Sequence, residues 1–171
     1  MNRQALLEMD ARWSARLCIA DQPGRLRTLA AILAHTGDSW FWILGLALTW
    51  WWGETQWKAW ALRLLGMILA LALLVMIIKF TFRRQRPEGE WGVIYRSTDP
   101  HSFPSGHAAR AALLAILTIA WGPPWLGVLL VIWVPLVSLA RVAMGLHYLS
   151  DILVGIFLGL IAGMLGLFIR V

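Results

Sequence analysis

Charge is scarce in this chain. Lysine, arginine, aspartate and glutamate supply 14% of its 171 residues, only nine residues are acidic, and 60% are hydrophobic. A soluble protein of this length needs more polar surface, so the composition argues against a soluble globular enzyme and for a bilayer. Cysteine is nearly absent: Cys18 stands alone, cannot close a disulfide within the chain, and says nothing about compartment. Internal repeats and low-complexity tracts are lacking. The first twenty residues mix charges with apolar positions, so no cleavable signal peptide is expected. The net charge of +6 would ordinarily suggest nucleic acid. Beside lipid headgroups positive charge has another use, and no nucleic-acid partner is expected.

What the chain has is apolar length. Residues 3 to about 20 read as an amphipathic helix, with Leu6, Met9, Trp13 and Leu17 at three- and four-residue spacing. A turn at Asp21-Gln-Pro-Gly24 leads into a second short amphipathic stretch, Arg25 to about Ala34. Neither is long or apolar enough to cross a bilayer, so both are expected along its surface. Charge-free runs follow at 39–53, 64–78 (reaching back toward Trp60), 111–140 and 152–169. The third is too long for one crossing and is expected to break at Gly122-Pro-Pro124. The expectation is an all-α integral membrane bundle of about five transmembrane helices. Residues 1–171 would form one membrane-embedded domain, 1–36 interfacial and 39–171 the bundle.

Tryptophan fixes the ends. Trp50, Trp51, Trp52, Trp57, Trp60, Trp121 and Trp125 fall where successive spans would meet one interface, the usual aromatic belt. The opposite interface then receives residues 79–107 and 145–151, together with the N-terminus.

Three polar clusters land there. Lys79 is followed by six residues and Arg86-Pro87; Pro104-Ser-Gly-His107 comes next; Arg141, His147 and Asp151 close the set. Three cations at bilayer depth cost roughly 2.5–3.5 kcal/mol each on insertion scales, so they call for an anion. Asp151 is the obvious internal counter-charge, while Glu88, Glu90 and Asp99 lie in a loop. A phosphate would suit, and Pro104-Ser-Gly106 ahead of a helix adds backbone N–H groups at a positive dipole end. If a helix continues from His147, Asp151 lies one turn on and can orient the imidazole as a nucleophile. His107 could protonate the departing oxygen.

These clusters resemble the signature of the type-2 phosphatidic acid phosphatase superfamily, which also contains the vanadium haloperoxidases. The pattern is Lys, six residues, Arg-Pro; Pro-Ser-Gly-His; then Ser-Arg, five residues, His, three residues, Asp. It spans 79–151 with spacings intact. The resemblance implies a six-helix core, a phosphohistidine on His147 oriented by Asp151, and His107 as acid and then base. It also implies a phosphate cradle of Lys79, Arg86, Ser105, Gly106 and Arg141, with no metal and no cofactor. One departure is Ala140, where the family has serine.

Plainer roles fit other residues. Arg83 and Arg84 read as flanking charge, and His35 and His101 as interfacial histidines. Glycines 155, 159, 163 and 166 read as close helix packing. The competing function is a non-catalytic phospholipid-binding or transport protein; a metallohydrolase using His101, His107, His147 and Asp151 ranks last, because the cations would repel a divalent ion. The expected substrate is a lipid phosphate or diphosphate: polyprenyl diphosphate, phosphatidylglycerol phosphate or phosphatidate. Residues 88–103, with Trp91 and Tyr95, would shape that choice. No obligate protein partner is expected. The location implied is a bacterial inner membrane. Family resemblance puts the site outside, whereas arginines 3, 12, 16, 25, 27, 83, 84, 96 and 110 on the site side, against Lys58, Arg63 and Arg170, put it inside by charge.

Overall fold

The structure is a computed structural model that describes residues 2–89 and 91–169; Glu90 and Arg170 lie outside them. The described residues form eight helices: α1 Arg3–Leu17, α2 Arg25–Thr36, α3 Ser39–Trp52, α4 Thr55–Phe82, α5 Val93–Thr98, α6 Gly106–Trp121, α7 Pro124–Ala143 and α8 Leu149–Gly166. Of these, α4, α7 and α8 are long and apolar enough to cross a membrane. α2 and α3, bent by 52° at their junction, together make a fourth candidate. The chain is an integral membrane protein.

α6 is the axis. Its sixteen residues rise only about 24 Å, short of a hydrocarbon core of roughly 30 Å. It is buried on nearly every side from Ala108 to Thr118, as expected of a helix apolar all round. α8, α7 and α4 pack on it. The contact with α8 depends on missing side chains: a Cβ on Gly155 would lie 2.5 Å from the Ser105 carbonyl oxygen, and one on Gly159 would overlap the Ala109 carbonyl. Residues such as Leu73, Ile132 and Phe157 on α4, α7 and α8 point outward and are exposed, the surface lipid would cover.

The charge-free run 64–78 proves to be the middle of a 28-residue helix. Polar residues are tolerated at its two ends, so its first turns reach back past Lys58 and its last turn holds Lys79. The left-handed Arg83 (φ 48°) ends it, its N–H bonded to the Lys79 carbonyl. The break at residues 122–124 falls where proline and glycine place it. Trp60 packs against Gly122, so the α3–α4 and α6–α7 turns share one end. The last turns of α4 and α7 and the first turns of α6 and α8 therefore share the other. α5 lies within a stretch read as loop; at six residues it is too short to show a helical period.

Gly159→Ala is expected to cost about 1–3 kcal/mol by overpacking. Gly66→Ala, whose Cβ meets nothing within 4 Å, should be neutral or stabilising, because alanine favours helix over glycine. Melting temperatures in detergent check the contrast.

Candidate active site

The polar end of the bundle is built from helix termini. Lys79, 3% exposed, donates from Nζ to the His101 carbonyl at 2.6 Å and pairs with Asp99 Oδ2 at 2.8 Å. Arg86 reaches the same Oδ2 at 2.9 Å and the Asp99 carbonyl at 2.8 Å. Asp99, assigned by sequence to a loop without a charge partner, is thus the counter-ion of both cations: α5 is the short helix that delivers it. The His101 ring packs edge-on to Phe80 and takes no part in this pairing.

Arg86 also donates to the Leu146 carbonyl (2.7 Å) and, at 3.3 Å, meets His147 Nε2. A guanidinium can only donate, so Nε2 is the acceptor and the ring proton sits on Nδ1. Nδ1 faces Asp151 Oδ2 at 3.6 Å, an ion-pair distance rather than a hydrogen bond. His147 is 1% exposed. Burial, with Arg86 and Arg141 adding to it and Asp151 opposing, pushes its pKa down to about 3, so the imidazole is neutral at physiological pH.

Asp151 is shared. Its Oδ2 accepts the Tyr148 N–H at 2.9 Å, and its Oδ1 accepts Arg84 Nη1 at 2.7 Å. The other arm of Arg84 pairs with Asp10 of α1 at 2.7 Å, and its guanidinium lies 3.9 Å over the Tyr148 ring. The flanking-charge reading of Arg84 is therefore corrected. Beside Arg83, which does sit exposed at the helix end, it looked like half of a charged pair, and nothing local marked it out. α1 does more: Ser14 Oγ accepts the Leu149 N–H (2.9 Å), and Asp10 accepts the Ser150 N–H (3.1 Å). These orphan donors at the start of α8 are thus capped from another helix.

His107 opens α6. Its Nε2 bonds Asp38 Oδ1 at 2.8 Å, and Asp38 also accepts the Tyr95 hydroxyl at 2.7 Å and meets His35 Nδ1 at 3.0 Å. His35 thus has a specific contact rather than a merely interfacial one. Nothing in the sequence distinguished Asp38 from an ordinary helix cap. One turn after His107, Arg110 grips the α2–α3 junction through Ser39 Oγ (2.8 Å) and the Gly37 carbonyl. Arg141 is fully buried, stacked 4.3 Å over the Tyr95 ring, and its Nε and Nη1 have no hydrogen-bond partner among the described residues. Ser105 ties α6 to α8, its N–H bonded to the Asp151 carbonyl at 3.0 Å. Ala140 packs with Ala30, Ala34 and Met144 between α2 and α7.

A cavity of about 160 Å³ is walled by Lys79, Asp99, Gly106, His107, Arg110 and His147 with apolar residues of α4. Both imidazoles open onto it. At Ser39 and His107 it meets a wider groove of about 890 Å³ walled by Trp40, Phe41, Trp91, Val93, Ile94 and Tyr95. Of the predicted set, Lys79, Gly106, His107 and His147 line the cavity itself, Arg86 and Asp151 hold His147, and Ser105 and Arg141 are buried without lining it. The two imidazoles pair with different carboxylates. Among the described residues no three His, Cys, Asp or Glu side chains converge as metal ligands.

Arg84→Ala would strip the fully buried Asp151 of its cation, and breaking such a pair costs on the order of 3 kcal/mol. A lower melting temperature with Arg84→Lys only partly restoring it, since one ammonium cannot bridge Asp10 and Asp151 as the fork does, is the expected result.

Residues 60–170 match the PAP2 superfamily. Over 151 residues the chain is 36% identical to a decaprenylphosphoryl-5-phosphoribose phosphatase of Mycobacterium tuberculosis, covering 85% of this chain and 80% of that protein. It is 28% identical to an undecaprenyl-diphosphatase of Sulfolobus acidocaldarius, covering 81% and 68%. The crystal structure of a transmembrane PAP2-type phosphatidylglycerolphosphate phosphatase from Bacillus subtilis aligns with a TM-score of 0.74 at 25% identity, over 95% of this chain and 84% of that one. With its fold shared along nearly the whole length and its polar motifs gathered at one end of the bundle, the chain belongs to the PAP2 superfamily.

Proposed function

We infer that this chain is a membrane lipid phosphatase acting on a lipid phosphate or diphosphate through a phosphorylated His147. The observation that carries the reading is the pair of imidazoles on one small cavity, with Lys79 on its wall and Arg86 bonded to His147. His147 Nε2 attacks phosphorus as the bond to the lipid oxygen breaks, and His107 hands its proton to that oxygen. Water then attacks the phosphohistidine while His107 takes the water's proton, releasing phosphate. Asp151 faces the Nδ1 proton and stabilises the cationic ring of the intermediate. The long contact between Arg86 and Nε2 is readily exchanged for one to a phosphoryl oxygen as attack begins. Arg141 does not line the cavity, but its buried Nε and Nη1 have no hydrogen-bond partner among the described residues and are donors left over for that oxyanion.

The groove beside α5 supports a lipid leaving group. Its apolar wall meets the cavity at His107, so a chain lying in it would put the departing oxygen at the acid: the lipid's alcohol oxygen in a phosphomonoester, the bridging oxygen of the lipid monophosphate in a diphosphate. Polyprenyl diphosphate, phosphatidylglycerol phosphate and phosphatidate all meet that requirement, and relatives acting on polyprenyl-linked substrates favour the first. Purified protein tested on the three lipids is expected to release phosphate fastest from the polyprenyl substrate, insensitive to EDTA and blocked by vanadate. No release from any of them would favour a binding protein.

His147→Ala should retain the fold and lose turnover to below about one thousandth, since nothing replaces the nucleophile. In His107→Ala, labelled phosphate should be trapped on His147; label trapped elsewhere reverses the roles.

We also place the site on the outer face of a bacterial inner membrane. In Cys18→Ser with the exposed Ser97 of α5 changed to Cys, an impermeant thiol reagent added to intact cells should label the protein; labelling only after lysis puts the site inside.

A further inference from the structure

Asp38 stands at the N-cap position of α3, where an aspartate normally accepts a backbone N–H from the first turn. It makes no such bond. Its carboxylate instead turns toward α6 and α5, to His107 Nε2 at 2.8 Å and the Tyr95 hydroxyl at 2.7 and 2.9 Å. The residues on either side of it are held by Arg110, which donates to the Gly37 carbonyl and to the Ser39 side-chain Oγ. Thr36, two residues before, accepts from Trp133 of α7 at 2.9 Å and Trp42 of α3 at 3.2 Å. Three other helices thus hold the junction still, and the carboxylate it presents gives one oxygen, Oδ1, to His107 while the other, Oδ2, meets His35 Nδ1 at 3.0 Å.

We propose that Asp38 is the positioning residue of the general acid, forming with His107 a second His–Asp pair opposite His147–Asp151. The bond to Nε2 fixes the ring so that Nδ1 is the nitrogen left to exchange a proton with the leaving oxygen and then with water. A carboxylate in contact with the ring stabilises the imidazolium that must exist just before that transfer. Tyr95 joins this pair to the cradle, since its hydroxyl bonds Asp38 while its ring lies under Arg141. The α2–α3 junction, which carries none of the family's three motifs, thereby becomes part of the reacting machinery.

This rests on the phosphohistidine reading, so the test separates the two. Two substrates with the same long apolar chain are compared through kcat/KM, which reports steps up to phosphoenzyme formation: an alkyl phosphate, whose alkoxide needs a proton to leave, and a nitrophenyl phosphate, whose phenolate does not. His107→Ala should lose about 10²–10⁴-fold on the alkyl ester and at least tenfold less on the nitrophenyl ester; equal losses overturn the acid role of His107 itself. Given a selective loss there, Asp38→Asn should show the same selectivity, with an alkyl loss of about 10²-fold and retained vanadate binding. A uniform loss, or none, makes Asp38 merely structural and overturns the proposal while leaving the His107 reading intact. Should Asp38→Asn fail to fold, Asp38→Glu, which moves the charge by one methylene, is judged by the same two outcomes.

Discussion

Burying cations at one end of a membrane-spanning bundle is the constraint around which the rest of this molecule is arranged. Lys79, Arg86, Arg110 and Arg141 are all withdrawn from water, and each would be costly without compensation. Compensation is unequal. Asp99 serves Lys79 and Arg86 together, backbone and hydroxyl oxygens serve Arg110, and Arg141 has an aromatic face and two unpartnered nitrogens. The balance stays positive around the cavity, which suits a doubly charged phosphate better than any neutral headgroup.

Holding such a site requires rigid helix ends, and α6 supplies the reference. Because glycines of α8 let its backbone touch that of α6, the starts of the two helices lie side by side, and the Ser105 N–H reaches the Asp151 carbonyl directly. His107 is then carried by the first turn of α6. His147, which the sequence would place on a helix continuing to Asp151, sits in the α7–α8 loop two residues before α8 begins and is held there by its contacts with Arg86 and Asp151. Loss of that contact would move the two rings apart without touching either.

The N-terminal helices prove to be more than surface ballast. α1 caps α8 through Asp10 and Ser14 and, through Arg84, braces the carboxylate that faces His147. The junction of α2 and α3 holds Asp38 against His107. The amphipathic α1 and the bend between α2 and α3 thus each support one of the two imidazoles.

The amino-acid sequence alone determined the helical membrane architecture and the break at Gly122-Pro-Pro124, and its motifs singled out Lys79, Arg86, His107, Arg141, His147 and Asp151, which the fold gathers at one end of the bundle. Apolar run length, proline chemistry and motif spacing are local properties, readable without knowing what packs on what. Only the tertiary structure decided the roles of Asp10, Asp38, Arg84 and Asp99. Each is a charge of ordinary appearance in an amphipathic helix, a cap position or a loop. What a carboxylate or guanidinium does depends on the partner it touches, and here the deciding partners lie 13 to 140 positions away along the chain.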